Sequence, residues 1–208
     1  MTYYPVQLDL SGKRCVVVGA GTVAERKVRT LLEYGAHIRL VAPVPTSVLR
    51  ALAEAGSIVW MNALYHSAHL EGAFLVFAAT DQSEINETVA RDAQERNILV
   101  CRVDQPEGGN FVSPAQVSRG DLVFTVSTSG LSPTLAAVIR EELEAAYEPE
   151  WEQLTALLGK LRSELKEQHG SESERKVAVR SILADTAVRD AIRRGDLMEA
   201  EALARQCL

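Results

Sequence analysis

The sequence predicts an α/β protein in three parts. A parallel sheet flanked by helices occupies residues 1–112, a small α+β segment residues 113–147, and a helical region residues 148–208. Three observations predict this. The β-branched run Val16-Val17-Val18 leads straight into Gly19-Ala20-Gly21 and then into a helical pattern. Short apolar runs alternate with helix-period segments as far as residue 112, and such alternation builds a parallel sheet with right-handed crossovers. Beyond Trp151 the apolar residues recur only at helical spacing.

Each element follows from local chemistry. Ser11-Gly12-Lys13 is a turn, and residues 13–18 are the first strand. Residues 22–34 form a helix with Ala24, Val28, Leu31 and Leu32 on one face, ended by Gly35. Residues 37–41 are the second strand, stopped by Pro43 and Pro45. A helix over 45–55 ends at Gly56, and strands follow at 57–61 and 74–79. Residues 83–96 are helical, and 98–103 are the fifth strand. The pattern then breaks into a turn-rich loop at 104–110 and a stretch, 112–120, that carries a proline and a glycine. A strand at 122–127 and a helix at 133–147 complete the middle segment. In the tail, Leu154, Leu157, Leu158, Leu161 and Leu165 make one amphipathic stripe; Gly170-Ser171-Glu172-Ser173 reads as a linker, with two short helices after it.

The glycine turn is the most informative stretch. Gly19 permits a tight strand-to-helix turn, and Gly21 has no side chain, so a pyrophosphate can approach the backbone. Ala24 stands where a third glycine is usual and is still small enough for close helix–strand packing. The free N–H groups of the following helix then face the phosphates. Gly19, Ala20 and Gly21 therefore read as a Rossmann-like dinucleotide site. The bland alternative is a βα turn that is tight only for packing. In parallel sheets of this kind ligands bind at the carboxyl ends of the strands, so the residues that follow each strand carry the functional information.

Composition narrows the function. The chain has 208 residues, 47% apolar and 24% charged, as a globular protein does. Its 22 basic and 28 acidic residues give a net charge of −6, which argues against nucleic-acid binding, since that needs a basic footprint. Cys15 and Cys101 lie in apolar strand-like runs and Cys207 is far from both, so all three read as reduced thiols. No apolar run approaches a membrane span and no signal peptide is evident. The expectation is a cytoplasmic protein that binds neither membrane nor nucleic acid.

Four constellations could carry chemistry. Asp104 ends the fifth strand, where a carboxylate could move a proton while hydride goes to a cofactor; it equally suits an Asp that bonds the turn before Pro106. Thr80-Asp81, with Asn86 in the next helix, sits where a cofactor contact or a plain helix cap would sit. Ser127-Thr128-Ser129-Gly130-Leu131-Ser132-Pro133 joins a strand to a helix, with Ser132 placed to cap it and Pro133 at its first position. Those hydroxyls make either a carboxylate or phosphate site or simple capping. His66 and His69 lie in a loop with no third ligand nearby, and no Cys-x-x-Cys or His-Glu-x-x-His site exists, so no metal site is expected. Glu25 and Arg29 are an ordinary i,i+4 pair, and Glu141-Glu142-Leu143-Glu144 a solvated helix face.

Taken in order, these pieces resemble one family: Tyr4-Pro5-Val6-Gln7-Leu8-Asp9-Leu10, then Val18 to Lys27, Ala78-Ala79-Thr80-Asp81 with Asn86, Val103-Asp104, Phe111 with Pro114, and Ser127 to Pro133 with Arg140. The set resembles the precorrin-2 dehydrogenase module of siroheme synthases, some members of which also insert iron into sirohydrochlorin. It covers roughly residues 3–145; the tail is similar only in general character. The resemblance implies a Rossmann domain that binds NAD, a middle segment that dimerises two chains, and a tail that helps to cover a tetrapyrrole site. It implies oxidation of precorrin-2 by NAD to sirohydrochlorin, in a homodimer, with a divalent metal as a transient further substrate. Asp104 falls on the family's catalytic aspartate, Thr22 and Val23 on the glycine-turn contact to NAD, and Pro43 and Val44 on the contact after the second strand. Thr128 falls in the substrate-side loop, and Arg119 and Arg140, with Ser127, Thr128, Ser129 and Ser132, supply donors for a polycarboxylate macrocycle.

Two departures stand out. Cys101-Arg102 precede Asp104 where relatives commonly carry Asn and an apolar residue, which bears on local substrate contacts. The second strand ends Leu40-Val41-Ala42-Pro43 without the acidic residue that usually reads a ribose 2′-OH, so NAD over NADP rests on the resemblance. The chain ends at Leu208 without the methyltransferase region fused in some relatives, so precorrin-2 is expected from another protein. Two other readings compete. An NAD(H)-sensing module would bind NADH without turnover and leave Asp104 idle. A dehydrogenase of a small polar substrate would normally bring a Lys, His or Tyr proton donor after a late strand, and none is found.

Overall fold

The computed structural model describes residues 3–208, and the chain divides into two compact units between Ser113 and Pro114. The first unit contains β1 (Arg14–Val18), α1 (Thr22–Glu33), β2 (His37–Val41), α2 (Ser47–Glu54), β3 (Val59–Met61), β4 (Leu75–Ala78), α3 (Ser83–Gln94) and β5 (Leu99–Arg102). Its five strands are all parallel, in the order β3-β2-β1-β4-β5.

Strand β1 is central because its side chains are apolar on both faces. Cys15 and Val17 enter one core with Ala24, Val28 and Leu31 of α1 and Leu49 of α2, whereas Val16 and Val18 enter the other with Val89, Ala90 and Ala93 of α3. This is the period-two split of a strand buried on both sides. Register places Val41, Val18, Ala78 and Arg102 side by side, so β2, β1, β4 and β5 end at one level.

Boundaries shift where local hydrogen bonds compete. The second helix begins at Ser47 rather than 45 because the Thr46 hydroxyl accepts from Leu49 N and caps it. The third strand is shorter than expected because Ser57 N donates back to Leu52 O and closes α2. Gly35, at φ +70°, ends α1 and donates to Leu32 O.

The second unit contains β6 (Ala115–Arg119), β7 (Leu122–Val126), α4 (Pro133–Ala146), α5 (Glu150–Lys160), α6 (Arg162–Gln168), α7 (Glu172–Ala184), α8 (Thr186–Arg193) and α9 (Leu197–Gln206). Strands β6 and β7 pair antiparallel around Gly120, which has φ +60°. The sequence reading found β7 but no strand at β6. The tail core joins Leu154, Leu157, Leu161 and Leu165 to Ile182, Val188 and Ala204. The expected linker at 170–173 is instead a capping box: Ser171 Oγ accepts from Glu174 N, and the Glu174 carboxylate accepts from Ser171 N. Three helices follow it rather than two, because Asp185 caps a separate α8 through Ala187 N. Among the described residues no helix is long and apolar enough to cross a membrane.

Candidate functional site

The carboxyl edge of the sheet gathers most of the sequence-predicted residues. Gly19 has φ +106° and donates its N–H to Val41 O at 2.9 Å. A Cβ on Gly19 would lie 2.2 Å from Ala79 O, so only glycine fits between the ends of β2 and β4. Gly21 behaves differently. It is the N-cap of α1, in extended conformation, with no side chain capping the helix, and a Cβ there would meet nothing within 4 Å. The first turn of α1 thus offers its N–H groups to open space, with Thr22 and Val23 exposed above a fully buried Ala24. This arrangement fits a dinucleotide pyrophosphate.

The loop after β2 is fastened to this turn. Thr46 N donates to Ala20 O at 3.2 Å, and Thr46 Oγ1 donates to Glu25 Oε2 at 2.8 Å. Pro43 and Val44 are exposed at its crest. After β4, Thr80 N donates to the fully buried Asn86 Oδ1 at 3.0 Å, and Asn86 Nδ2 returns a bond to Thr80 O. Asn86 therefore locks the turn that walls Gly19, while Asp81 points to solvent.

Asp104 lies two residues past the row in which β4 and β5 end. Its carboxylate is clamped. Arg102 Nη2 donates to Oδ2 at 2.9 Å and Arg102 Nε to Oδ1 at 3.3 Å. Ser83 Oγ, at the start of α3, donates to Oδ2 at 2.9 Å and accepts from Arg102 Nη2 at 3.1 Å. Burial is the strongest single influence on Asp104 and pushes its carboxyl up, but the bonds from Arg102 and Ser83 together outweigh it and hold it below the usual carboxylate range. The sequence reading saw Arg102 only as a departure and did not connect Ser83. The available signal was strand periodicity, since Arg102 and Asp104 are two apart and share a face.

A second cation was also missed. Lys27 of α1 donates to Ser113 Oγ at 2.9 Å and lies 5.3 Å from the centre of the Phe77 ring. Burial, chiefly, holds its ammonium pKa below the usual value. Burial likewise pushes the Cys101 thiol up, and that of Cys15 up to about 11, so neither is a reactive thiolate.

The other predicted contacts belong to the second unit. Ser127 Oγ accepts from Ser129 N, Thr128 Oγ1 from Ser132 N, and Ser132 Oγ from Leu135 N, at 3.2, 3.0 and 3.2 Å. Each hydroxyl accepts in these bonds and keeps its own hydrogen to offer. Ser129 sits at φ +52°, rare for a residue with a Cβ. Arg140 pairs with Glu144 at 2.6 Å and Glu141 at 3.2 Å. Arg119 donates to Tyr147 O at 2.7 Å and Glu144 O at 3.0 Å, holding the end of α4 against the hairpin.

His66 and His69 serve their own loop: His69 Nδ1 accepts from His66 N, and His66 Nδ1 from Ala68 N. Among the described residues no group of three His, Cys, Asp or Glu is placed to hold a metal ion.

Known proteins share this architecture. The family model described as "Putative NAD(P)-binding" matches residues 6–115, and that described as "Sirohaem biosynthesis protein central" matches residues 119–146. Siroheme synthase 1 of Aeromonas salmonicida is 37% identical over 204 residues, covering 98% of this chain and 44% of that protein. The siroheme synthase of Chromobacterium violaceum is 36% identical over 202 residues, covering 97% of this chain and 43% of its own. The chain thus spans less than half the length of these relatives. A solved structure, SirC, precorrin-2 dehydrogenase, superposes with a TM-score of 0.74 and 28% identity, covering 98% of this chain and 100% of that one.

Proposed function

The chain belongs to the family described as "Putative NAD(P)-binding", and from that membership, with its likeness to siroheme synthases and to SirC, we propose that it oxidises precorrin-2 to sirohydrochlorin with NAD. The observation that carries the reading is the likeness to SirC over the length of both chains, joined to a carboxylate at the end of β5. In the reaction the macrocycle loses a hydride and a proton. Bound NAD supplies the hydride acceptor. Gly19, Ala20, Gly21, Thr22 and Val23 hold the pyrophosphate, Pro43 and Val44 flank the adenosine side, and Thr80 and Asp81 close the site after β4. Asp104 stands roughly 10 Å from the glycine turn, two strand spacings across the sheet. Its ionised carboxylate takes the proton at an Oδ atom as the hydride departs. Ser127, Thr128, Ser129, Ser132, Arg119 and Arg140 are the proposed donors to the substrate's carboxylates.

The middle segment, residues 113–147, is the proposed dimer contact. Strands β6 and β7 form a sheet of only two strands, and Leu131 just before α4, with Leu135 and Val138 on it, exposes apolar surface, Leu131 at 90%. Such a hairpin gains independent stability by pairing or packing. Light scattering is expected to report a dimer; a particle of 22.7 kDa at micromolar concentration refutes it. We place the protein in the cytoplasm, where its three unpaired cysteines stay reduced. Insertion of Fe²⁺ or Co²⁺ into sirohydrochlorin is proposed as a slow second activity.

The deciding experiment is anaerobic incubation with precorrin-2 and NAD, followed by absorption spectroscopy. Formation of sirohydrochlorin and NADH in equal amounts is expected. Tight NADH binding with no turnover identifies a sensing module instead.

A further inference from the structure

We propose that Arg102, together with Ser83, is a positioning residue for Asp104: the pair fixes the carboxylate's orientation and cancels its charge, so that a polycarboxylate substrate can approach the base. This rests on the dehydrogenase reading above and adds to it a residue to which that reading gives no role.

The geometry is a closed three-membered ring. The guanidinium meets both carboxylate oxygens, at 2.9 and 3.3 Å, and Ser83 Oγ bridges the two side chains, at 2.9 Å to Asp104 and 3.1 Å to Arg102. Arg102 cannot swing away. It is 4% exposed, and the chain at Gly108 passes so close that a Cβ there would lie 2.5 Å from Arg102 Cδ and 2.8 Å from Nη1. The 3₁₀ turn Pro106–Gly108 therefore acts as a cover over the guanidinium. Asp104 keeps 27% of its side chain exposed, so its clamped oxygens still face outward.

The pairing resolves a conflict in the chemistry. A bare carboxylate repels a substrate that carries many carboxylates, yet the base must be ionised to accept a proton. A guanidinium beneath it keeps it ionised while the pair as a whole is neutral. The charged group facing the Arg102–Asp104 pair is Glu87 of α3, which adds to Asp104 in favouring the charged form of Arg102. The hydrogen bonds from Arg102 and Ser83 hold the Asp104 carboxyl below its usual range against the opposing effect of burial. With Arg102 removed, burial prevails and the carboxyl titrates higher.

The test compares the wild type with Arg102→Met, Arg102→Lys and Ser83→Ala in steady-state oxidation of precorrin-2 across pH 3–9. NAD affinity is measured in parallel. For Arg102→Met we expect KM for precorrin-2 to rise at least tenfold. The acid limb of kcat should move up by about one pH unit or more, with NAD affinity unchanged. Arg102→Lys should recover part of the KM effect and little of the orientation. Ser83→Ala alters an exposed hydroxyl, keeps the fold safe, and should lower kcat severalfold with KM unmoved. Equal losses of kcat and NAD affinity in both Arg102 variants, or an unmoved pH profile and KM, overturn the proposal and leave Arg102 a packing residue. Titration of the Asp104 carboxyl by ¹³C NMR, wild type against Ser83→Ala and Arg102→Lys, is independent of turnover. An upward shift supports the clamp and no shift overturns it. A wild type that does not oxidise precorrin-2 defeats the functional reading, and the NMR result still decides the clamp.

Discussion

Gly19 and Gly21 are two residues apart and answer to different constraints. A side chain on Gly19 collides with the backbone of Ala79 just after β4, and Gly19 itself has a positive φ. Gly19→Ala should therefore cost at least about 2 kcal/mol of stability, visible as a lowered melting temperature before any cofactor is added. Gly21 faces open space, so Gly21→Asp should fold normally while NAD affinity falls more than tenfold, or about 1.4 kcal/mol. Unchanged NAD titration of the folded variant removes the pyrophosphate from this turn. Asp104→Ala should slow turnover by about 10²–10⁴-fold and spare NAD binding; full activity reduces the residue to a turn former. The glycine turn was readable in the sequence because its demands are local. Of the partners of Asp104, Arg102 was within reach of strand periodicity, but Ser83 was not, since it lies 21 positions away and reaches Asp104 only when α3 docks beside β5.

The helices and strands were legible in proportion to how local their causes are. Strand β1 and helix α1 declare themselves through apolar spacing and glycine stops. Strand β6 did not: it is five residues long, follows Pro114, buries only Val117, and pairs with β7 alone. The capping box at Ser171 looked like a linker because Ser and Glu next to Gly suit both roles. In the tail, Glu150 is buried at the start of α5 and is bound by Arg189 and Arg193 of α8, with Arg189 also 5.7 Å from the Trp151 ring. Glu150→Ala leaves two guanidinium groups facing a gap and should lower the melting temperature of this region by about 5 °C. Burial is the largest influence on Glu150 and raises its pKa, but the two arginines overcome it and hold the carboxyl below the ordinary value. Its contribution is therefore complete above the unfolded-state pKa, about 4.3, and fades as pH falls through the lower folded value. Circular dichroism below pH 5 should show the wild type losing stability that Glu150→Gln never had.

Taken together, the two units distribute the proposed work: cofactor turn and base in the first, hydroxyl-rich loop and dimer contact in the second. What composition and alternation conveyed was the architecture of each. The order of the sheet was not conveyed, and it carries a consequence for how the molecule assembles. Strand β1 pairs on one side with β2, its near neighbour in sequence, and on the other with β4, about 60 residues further on. The wall against which Gly19 rests is the backbone of Ala79 and Thr80, directly after β4. The proposed nucleotide site is thus closed by the long-range pairing, the slow kind of contact in folding. During synthesis the β1–β2 half can form early, but it gains a cofactor only after β4 has emerged and docked. NAD then stabilises the completed sheet by mass action. Amide exchange should slow on NAD addition in β4 as well as in β1, making the cofactor a latch on the last step of folding.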